Sequence, residues 1–133
     1  MAYSEISLED AWSILADQES ATLIDVRTTA EWNFVGTPDL SSVGKQARLI
    51  EWTQFPGGTP NPDFVETATE GLDVSQPILL LCRSGARSRA AGERLAELGY
   101  QAVYNITAGF EGDLDQNAHR HGGWKDSLPW QQS

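Results

Sequence analysis

Residues 78–89 read Ile-Leu-Leu-Leu-Cys-Arg-Ser-Gly-Ala-Arg-Ser-Arg and set the chain's only cysteine where a buried strand ends and a helix begins. Ile78, Leu79, Leu80 and Leu81 follow Pro77 and are apolar on both faces, as a strand inside a covered parallel sheet requires. Ala91, Leu95 and Leu98 recur at i, i+4 and i+7 ahead of Gly99, the pattern of a helix and its stop. Cys82 to Arg87 must therefore turn tightly between the two elements. Loop amides and the positive end of the helix then converge on one point, which is how a backbone makes an anion site.

The charge distribution reinforces that point. The chain carries a net charge of −10, yet Arg83, Arg87 and Arg89 cluster here. A free thiol ionises at about 8.5, and helix N-termini and neighbouring cations lower that value, so Cys82 is expected to be a thiolate nucleophile. Gly85 allows close backbone approach or positive φ. Ser84 and Ser88 can donate to an anion or cap the helix, and Ala86 completes the loop. The alternative is a buried, inert cysteine beside solvent-facing arginines; the strand, glycine and arginine context weighs against it. No Ser-His-Asp order, Walker loop or dinucleotide fingerprint occurs, and Gly57 and Gly58 lack the strand-to-helix context for one.

The rest of the chain alternates strands with helices. Ser7 opens a helix with Asp10 at its third position and Leu8, Ala11, Trp12 and Leu15 on one stripe. Thr22–Val26 reads as a strand, residues 27–45 as loop or short helix, and Gln46–Trp52 as a strand by alternation. Pro56-Gly57-Gly58 reads as a turn, and Asn61 and Pro62 as the cap and first residue of a helix with Phe64, Ala68 and Leu72 inward. The strand Ile78–Leu81, the helix Arg87–Leu98 and the strand Gln101–Ile106 follow. This order implies an α/β fold, a three-layer sandwich with a mostly parallel central sheet flanked by helices.

Ligands in such sheets bind beyond the C-terminal strand ends, so Asp25 and Cys82 are expected at one rim. Asp25 and Arg27 are candidates for orienting the loop, through a carboxylate accepting amides and a guanidinium near the anion; a turn cap and a surface ion pair are the alternatives. Trp32, Trp52 and Phe55 are candidate pocket walls, with core or rim packing as the alternative. His119 and His121 flank Arg120 without the further ligands a closed zinc site needs, so no metal is expected.

Cys82, Gly85, Arg87 and Ser88 match, position by position, the Cys-x-x-Gly-x-Arg-Ser/Thr loop of the rhodanese family of sulfurtransferases, which the chain resembles. Thr22-Leu23-Ile24-Asp25-Val26-Arg27 is similar to the family's early L-I-D-V-R strand, with Glu31 near its usual glutamate. Tyr104-Asn105-Ile106 with Ala108-Gly109-Phe110 resembles its last strand and glycine turn, and Trp124-Lys125-Asp126-Ser127-Leu128-Pro129 its closing W-x-x-x-G-L-P. The segment after Glu31, Gly36-Thr37-Pro38-Asp39-Leu40, departs from the family's G-H-I-P-G-A, and Ser127 stands where glycine is common.

The resemblance implies a rhodanese-like fold and a thiosulfate sulfurtransferase in which Cys82 is catalytic and holds sulfur as a persulfide. Arg83, Ser84, Gly85, Ala86, Arg87 and Ser88 would form the substrate-binding loop, Asp25 and Arg27 would support it, and Arg87 is expected to brace the loop and face the bound anion with its planar fork. It implies no metal or organic cofactor. The partners would be a small sulfur donor and a thiol or cyanide-like acceptor, with a protein sulfur acceptor as a further possibility. Cysteine phosphatases and arsenate reductases use a comparable loop, but the phosphatase pattern has five residues between Cys and Arg where this chain has four, Arg83 to Ala86. A sulfur-carrier or regulatory binding module is the non-enzymatic alternative.

At 133 residues the chain can bury a core of its own. It is expected to be one domain, 1–133, with a tail, 111–133, packed on it, because Trp124, Leu128, Pro129 and Trp130 are too apolar for a free end. One cysteine forms no internal disulfide, which fits a reducing compartment. The start lacks a basic region and an apolar run, so a soluble cytoplasmic protein is expected. The acidic balance excludes a general nucleic-acid or anionic-membrane binder, which needs clustered Lys and Arg.

Overall fold

Apolar strands flanked by polar turns pair in parallel here, and the alternation along each strand decides which face every side chain joins. The computed structural model describes residues 2–54 and 58–132. The first half runs β1 (Tyr3–Ile6), α1 (Leu8–Asp17), β2 (Thr22–Asp25), α2 (Thr29–Val35), β3 (Thr37–Pro38), a 3-10 turn at Ser41–Val43, β4 (Arg48–Leu49), β5 (Thr53–Gln54) and β6 (Thr59–Pro60). The second runs α3 (Phe64–Ala68), β7 (Ile78–Leu81), α4 (Ala86–Glu97), β8 (Val103–Ile106), β9 (Gly112–Leu114), β10 (Arg120–Gly122), α5 (Trp124–Ser127) and β11 (Trp130–Gln131). Five strands form the central sheet in the order β1-β8-β7-β2-β4, every pair parallel.

Two cores cover the two faces. Leu23, Leu79, Leu81 and Ile106 pack against Leu8, Ala11 and Leu15 of α1 and against Phe110 and Trp124. Ile24, Val26, Ile78, Leu80, Cys82 and Val103 pack against Phe64 and Ala68 of α3 and Ala91 and Leu95 of α4. The fold is therefore a three-layer α/β sandwich with helices on both faces. Among the described residues no helix is long and apolar enough to cross a membrane.

Several elements differ from the sequence reading. β1 was not foreseen, because Tyr-Ser-Glu-Ile does not alternate; it is an edge strand with Ser4 and Glu5 exposed. In Gln46–Trp52 only Arg48 and Leu49 pair as a strand, although the Ile50 and Trp52 amides still donate to the Asp25 and Val26 carbonyls. The segment 27–45, read as loop or short helix, holds the short α2, which Thr28 and Glu31 open as a reciprocal capping box, and adds the two-residue β3. α3 begins at Phe64 rather than Pro62, because the Asn61 carboxamide accepts the Asp63 amide two residues on and makes a turn instead of a cap. Pro56, Gly57 and Phe55 lie outside the described residues.

Within 112–132, Trp124 joins the first core and Leu128 and Trp130 pack against it. β9 and β10 form an antiparallel hairpin, and β11 pairs antiparallel with β3. Trp124 is fully buried: its ring meets Trp12 edge-on at 5.9 Å, and its indole N–H donates to the Pro129 carbonyl at 2.7 Å. Trp130 stands edge-on to Phe110 at 6.2 Å. Trp124→Ala leaves a void that this packing cannot collapse around, so it should cost about 3–5 kcal/mol of stability, read as a lower urea midpoint at unchanged slope. A midpoint equal to wild type would mean the indole adds nothing to the core.

Candidate active site

The site begins with a chain reversal that needs two glycines. β7 ends at Leu81, α4 begins at Ala86, and Gly85 between them has φ +103°. A Cβ at Gly85 would lie 2.6 Å from the Thr107 carbonyl oxygen, so both backbone angle and space demand glycine. Gly109, at φ +70°, sits so close under the loop that a Cβ would lie 2.6 Å from the Arg83 carbonyl carbon. The turn at Gly109 lets the Phe110 amide donate to the Cys82 carbonyl at 2.8 Å, and the Glu111 and Gly112 amides to the Arg83 carbonyl at 3.0 and 3.2 Å. The loop's first two carbonyls thus point into this turn.

Cys82 is buried at 1 % exposure. Its Sγ accepts the Gly85 amide at 3.1 Å and lies 3.2 Å from the Ser88 hydroxyl. Ala86, Arg87 and Ser88 occupy the first turn of α4, whose leading amides have no partner within the helix and face the same end. This is a small polar nest around one sulfur atom. Ser84, Gly85 and Ala86 also line a cleft of about 360 Å³ shared with Glu5, Arg89, Asn105 and Thr107.

The three loop arginines do different things. The side chains of Arg83 and Arg89 are exposed, and Arg89 makes only a long 3.9 Å pair with Glu93. Arg87 turns to α2, where its Nη1 and Nη2 donate to the two Glu31 oxygens at 2.7 and 2.9 Å. Its fork was expected to face a bound anion; the structure gives both ends to a carboxylate instead. Burial alone would raise Glu31, but the Arg87 hydrogen bonds and charge, with the Thr28 amide and hydroxyl, hold it down at about 2. Arg87 is raised above its ordinary value, first by Glu31 and, after the opposing cost of burial, by Coulomb attraction to Glu31, Cys82 and Asp25.

Asp25 and Arg27 do not reach the sulfur. Asp25 pairs in register with Leu81, so it shares the α1 face with Leu23 and Leu81, whereas Cys82 lies on the α4 face. The Arg27 Nη2 donates to Asp25 at 2.7 Å and to the Gly36 carbonyl at 2.8 Å, and its guanidinium stacks 4.1 Å from the Phe110 ring. Both side chains are fully buried. The pair is neither a surface bridge nor, among the described residues, a hydrogen-bonding partner of the loop.

Of the proposed wall residues, Trp52 packs edge-on to Phe64 at 5.0 Å, and Trp32 lines a cleft with Asn33, Thr37, Leu49, Gln131 and Gln132. His119 and His121 are exposed on the β9–β10 hairpin, where His121 lies 3.4 Å from Asp115. Sequence reasoning gave no role to Asn105. It is 1 % exposed, donates to the Gly85 carbonyl at 3.1 Å and accepts from the Ser88 hydroxyl at 2.6 Å. The signal was an amide between the apolar Val103 and Ile106 on a buried strand, because such a group must find partners.

A parallel α/β sheet that ends its central strand in a cysteine, under the first turn of a helix and over a glycine turn, defines a cysteine-loop protein with a one-atom nest. The chain belongs to the rhodanese-like domain family, whose profile matches residues 7–115. It is similar to the crystal structure of Rv0390 from M. tuberculosis, with TM-score 0.90 and 42% identity over 98% of this chain and 99% of that one. It is 36% identical over 132 residues to the uncharacterized protein RP600 of Rickettsia prowazekii, covering 98% of this chain and 99% of the other. It is 30% identical over 112 residues to the thiosulfate sulfurtransferase GlpE of Actinobacillus succinogenes, covering 84% and 85%.

The Glu31–Arg87 pair has a signature in acid. Folding depresses Glu31 from 4.5 to about 2, so the pair's contribution is complete above the higher value and is lost as pH falls through that window. The stability difference between wild type and Glu31→Gln should therefore shrink across that window. Urea titrations at stepped pH test this; a difference that stays constant would show that the pair does not stabilise the fold.

Proposed function

We propose that this protein is a thiosulfate-type sulfurtransferase that carries one sulfur atom on Cys82. The observation that supports it best is the nest itself: a buried Sγ within reach of the Gly85 amide and the Ser88 hydroxyl, at a helix start. The relationship to GlpE adds a donor of known class.

The reaction has two halves. The Cys82 thiolate attacks the outer sulfur of thiosulfate; the Sγ–S bond forms, the S–S bond of the donor breaks, and sulfite leaves with the electron pair. The negative charge now sits on the terminal sulfur of a persulfide, where helix and loop amides can stabilise it. An acceptor such as cyanide, or a thiolate, then attacks that terminal sulfur. Its S–S bond breaks, the Cys82 thiolate returns, and thiocyanate or a new persulfide leaves. A protein thiolate would serve the second half equally well.

The phosphatase reading needs an arginine fork that grips two oxygens of a tetrahedral ester. Arg87 has both Nη atoms on Glu31, and breaking a bidentate pair to bind substrate would offset much of what the new contacts add. The short loop points the same way, since unmet phosphate oxygens are costly.

Intact mass after thiosulfate treatment tests this reading. Wild type should gain one sulfur that a reductant removes, Cys82→Ser should gain none while staying folded, and aryl phosphates should be hydrolysed hardly at all. Phosphate ester turnover without any sulfur adduct would overturn the assignment.

A further inference from the structure

Among the cysteine's hydrogen-bond partners one proton has too many claimants. The Ser88 oxygen lies 3.2 Å from Cys82 Sγ, 3.2 Å from the Gly85 carbonyl and 2.6 Å from Asn105 Oδ1. A hydroxyl has a single proton to donate. The Gly85 carbonyl can only accept, so it orients the Asn105 carboxamide with Nδ2 towards itself at 3.1 Å and Oδ1 towards Ser88. Two oxygens 2.6 Å apart need a proton between them, and only Ser88 can supply it. Ser88 and Asn105 are both buried.

The charge on sulfur decides what happens next. When Cys82 is a neutral thiol, its S–H can donate to Ser88 while Ser88 donates to Asn105, and all three groups are satisfied. When Cys82 is a thiolate, the sulfur needs donors, and Ser88 can serve it only by leaving Asn105. We propose that Asn105 is a positioning residue of the sulfur site: it competes for the Ser88 proton, so the hydroxyl swings between Asn105 and Cys82 as charge leaves and returns to the sulfur. In sulfur transfer the charge moves from Sγ to the terminal sulfur and back. Asn105 reclaims the proton when the persulfide forms and releases it when Sγ departs as a thiolate.

Other charges stand round this cluster. Arg87 and its partner Glu31 lie on the α2 side, and Asp25 and Arg27 at and just beyond the end of β2. Arg83 sits on the loop, and Glu5 and Arg89 share a cleft with Asn105. Tyr3, which burial raises to about 12, also lies beside Asn105 and Glu5. All of these charged groups are common to every variant below, while Tyr3 loses its hydrogen bond to Asn105 in Asn105→Leu.

The test is a double-mutant cycle read by the pH midpoint of Cys82 alkylation with iodoacetamide, each variant first checked for native circular dichroism. Asn105→Leu removes the nearer competitor at similar volume, leaves the Gly85 carbonyl 3.2 Å from Ser88 as the remaining rival acceptor, and should lower the midpoint by up to roughly one pH unit, the effect of one hydrogen bond to a charged group. Ser88→Ala should raise it. The double variant should match Ser88→Ala, because Asn105 acts through that hydroxyl. An unmoved midpoint in Asn105→Leu, or the same downward shift on the Ser88→Ala background, overturns the proposal.

If Asn105→Leu does not fold, the wild-type protein still decides. The Asn105 carboxamide NMR signals should titrate with the alkylation midpoint and stop doing so in Ser88→Ala; signals indifferent to the cysteine overturn it. The inference rests on Cys82 as the sulfur-bearing group. Alkylation reads the thiol whether or not sulfur moves, so a failed cycle with an intact sulfur adduct indicts this inference alone.

Discussion

The Cys82 and Arg83 carbonyls are tied to three consecutive amides, those of Phe110, Glu111 and Gly112, and the geometry of the site follows from that tie. A loop that must present N–H groups to a sulfur has to dispose of its carbonyls elsewhere, or they would repel the anion it serves. The turn at Gly109 takes them, and only glycine lets the two backbones meet so closely. The same turn is held from below by the tail. The Trp124 amide donates to the Gly109 carbonyl at 2.8 Å, and the Lys125 amide to the Phe110 carbonyl at 3.0 Å. Packing around Trp124 is thereby coupled to the placement of a cysteine two layers away.

The parity of the sheet separates what looks adjacent in sequence order. Asp25 and Cys82 both end strands at one rim, but neighbouring strands in register send them to opposite faces. Asp25 and Arg27 therefore make a buried ion pair under Phe110, in the layer that supports the Gly109 turn. Desolvating two charges is expensive; the carboxylate and the Gly36 carbonyl satisfy Nε and Nη2, while Nη1 is buried without a hydrogen-bond partner among the described residues. The pair makes no hydrogen bond to Cys82 among the described residues; Asp25 acts at a distance on Arg87 by Coulomb attraction.

What could be read from the chain was whatever depended on local order. Four apolar residues, a cysteine, a glycine and a helical stripe in 78–98 fix a strand, a loop and a helix by sterics alone, and the rhodanese-like loop is legible there. Faces and partners are not local. That Arg87 pairs with Glu31, 56 positions away, depends on where the capping box at Thr28 aims α2. The T-x-x-E spacing was visible; its direction in space was not. Asn105 was hidden for the same reason, since a polar residue on a strand announces a need for partners without naming them. β1 escaped because an edge strand needs only one covered side, and its pattern blurs accordingly.

These pairings also change where the positive charge of the site resides. With a net charge of −10 the protein as a whole repels a dianion such as thiosulfate, but at physiological salt charges beyond about 8 Å are largely screened. Approach is then governed by what lies near the loop. Arg87 is mostly neutralised by Glu31, which leaves the exposed Arg83 and Arg89 and the unpaired amides of the α4 start as the local attraction. The bidentate pair instead locks the first turn of α4 to α2, which keeps those amides in place. Arg87 thus has its fork on a carboxylate and braces the backbone around Cys82, and in the proposed sulfur transfer the charge on sulfur would be met by the Gly85 amide and the start of α4.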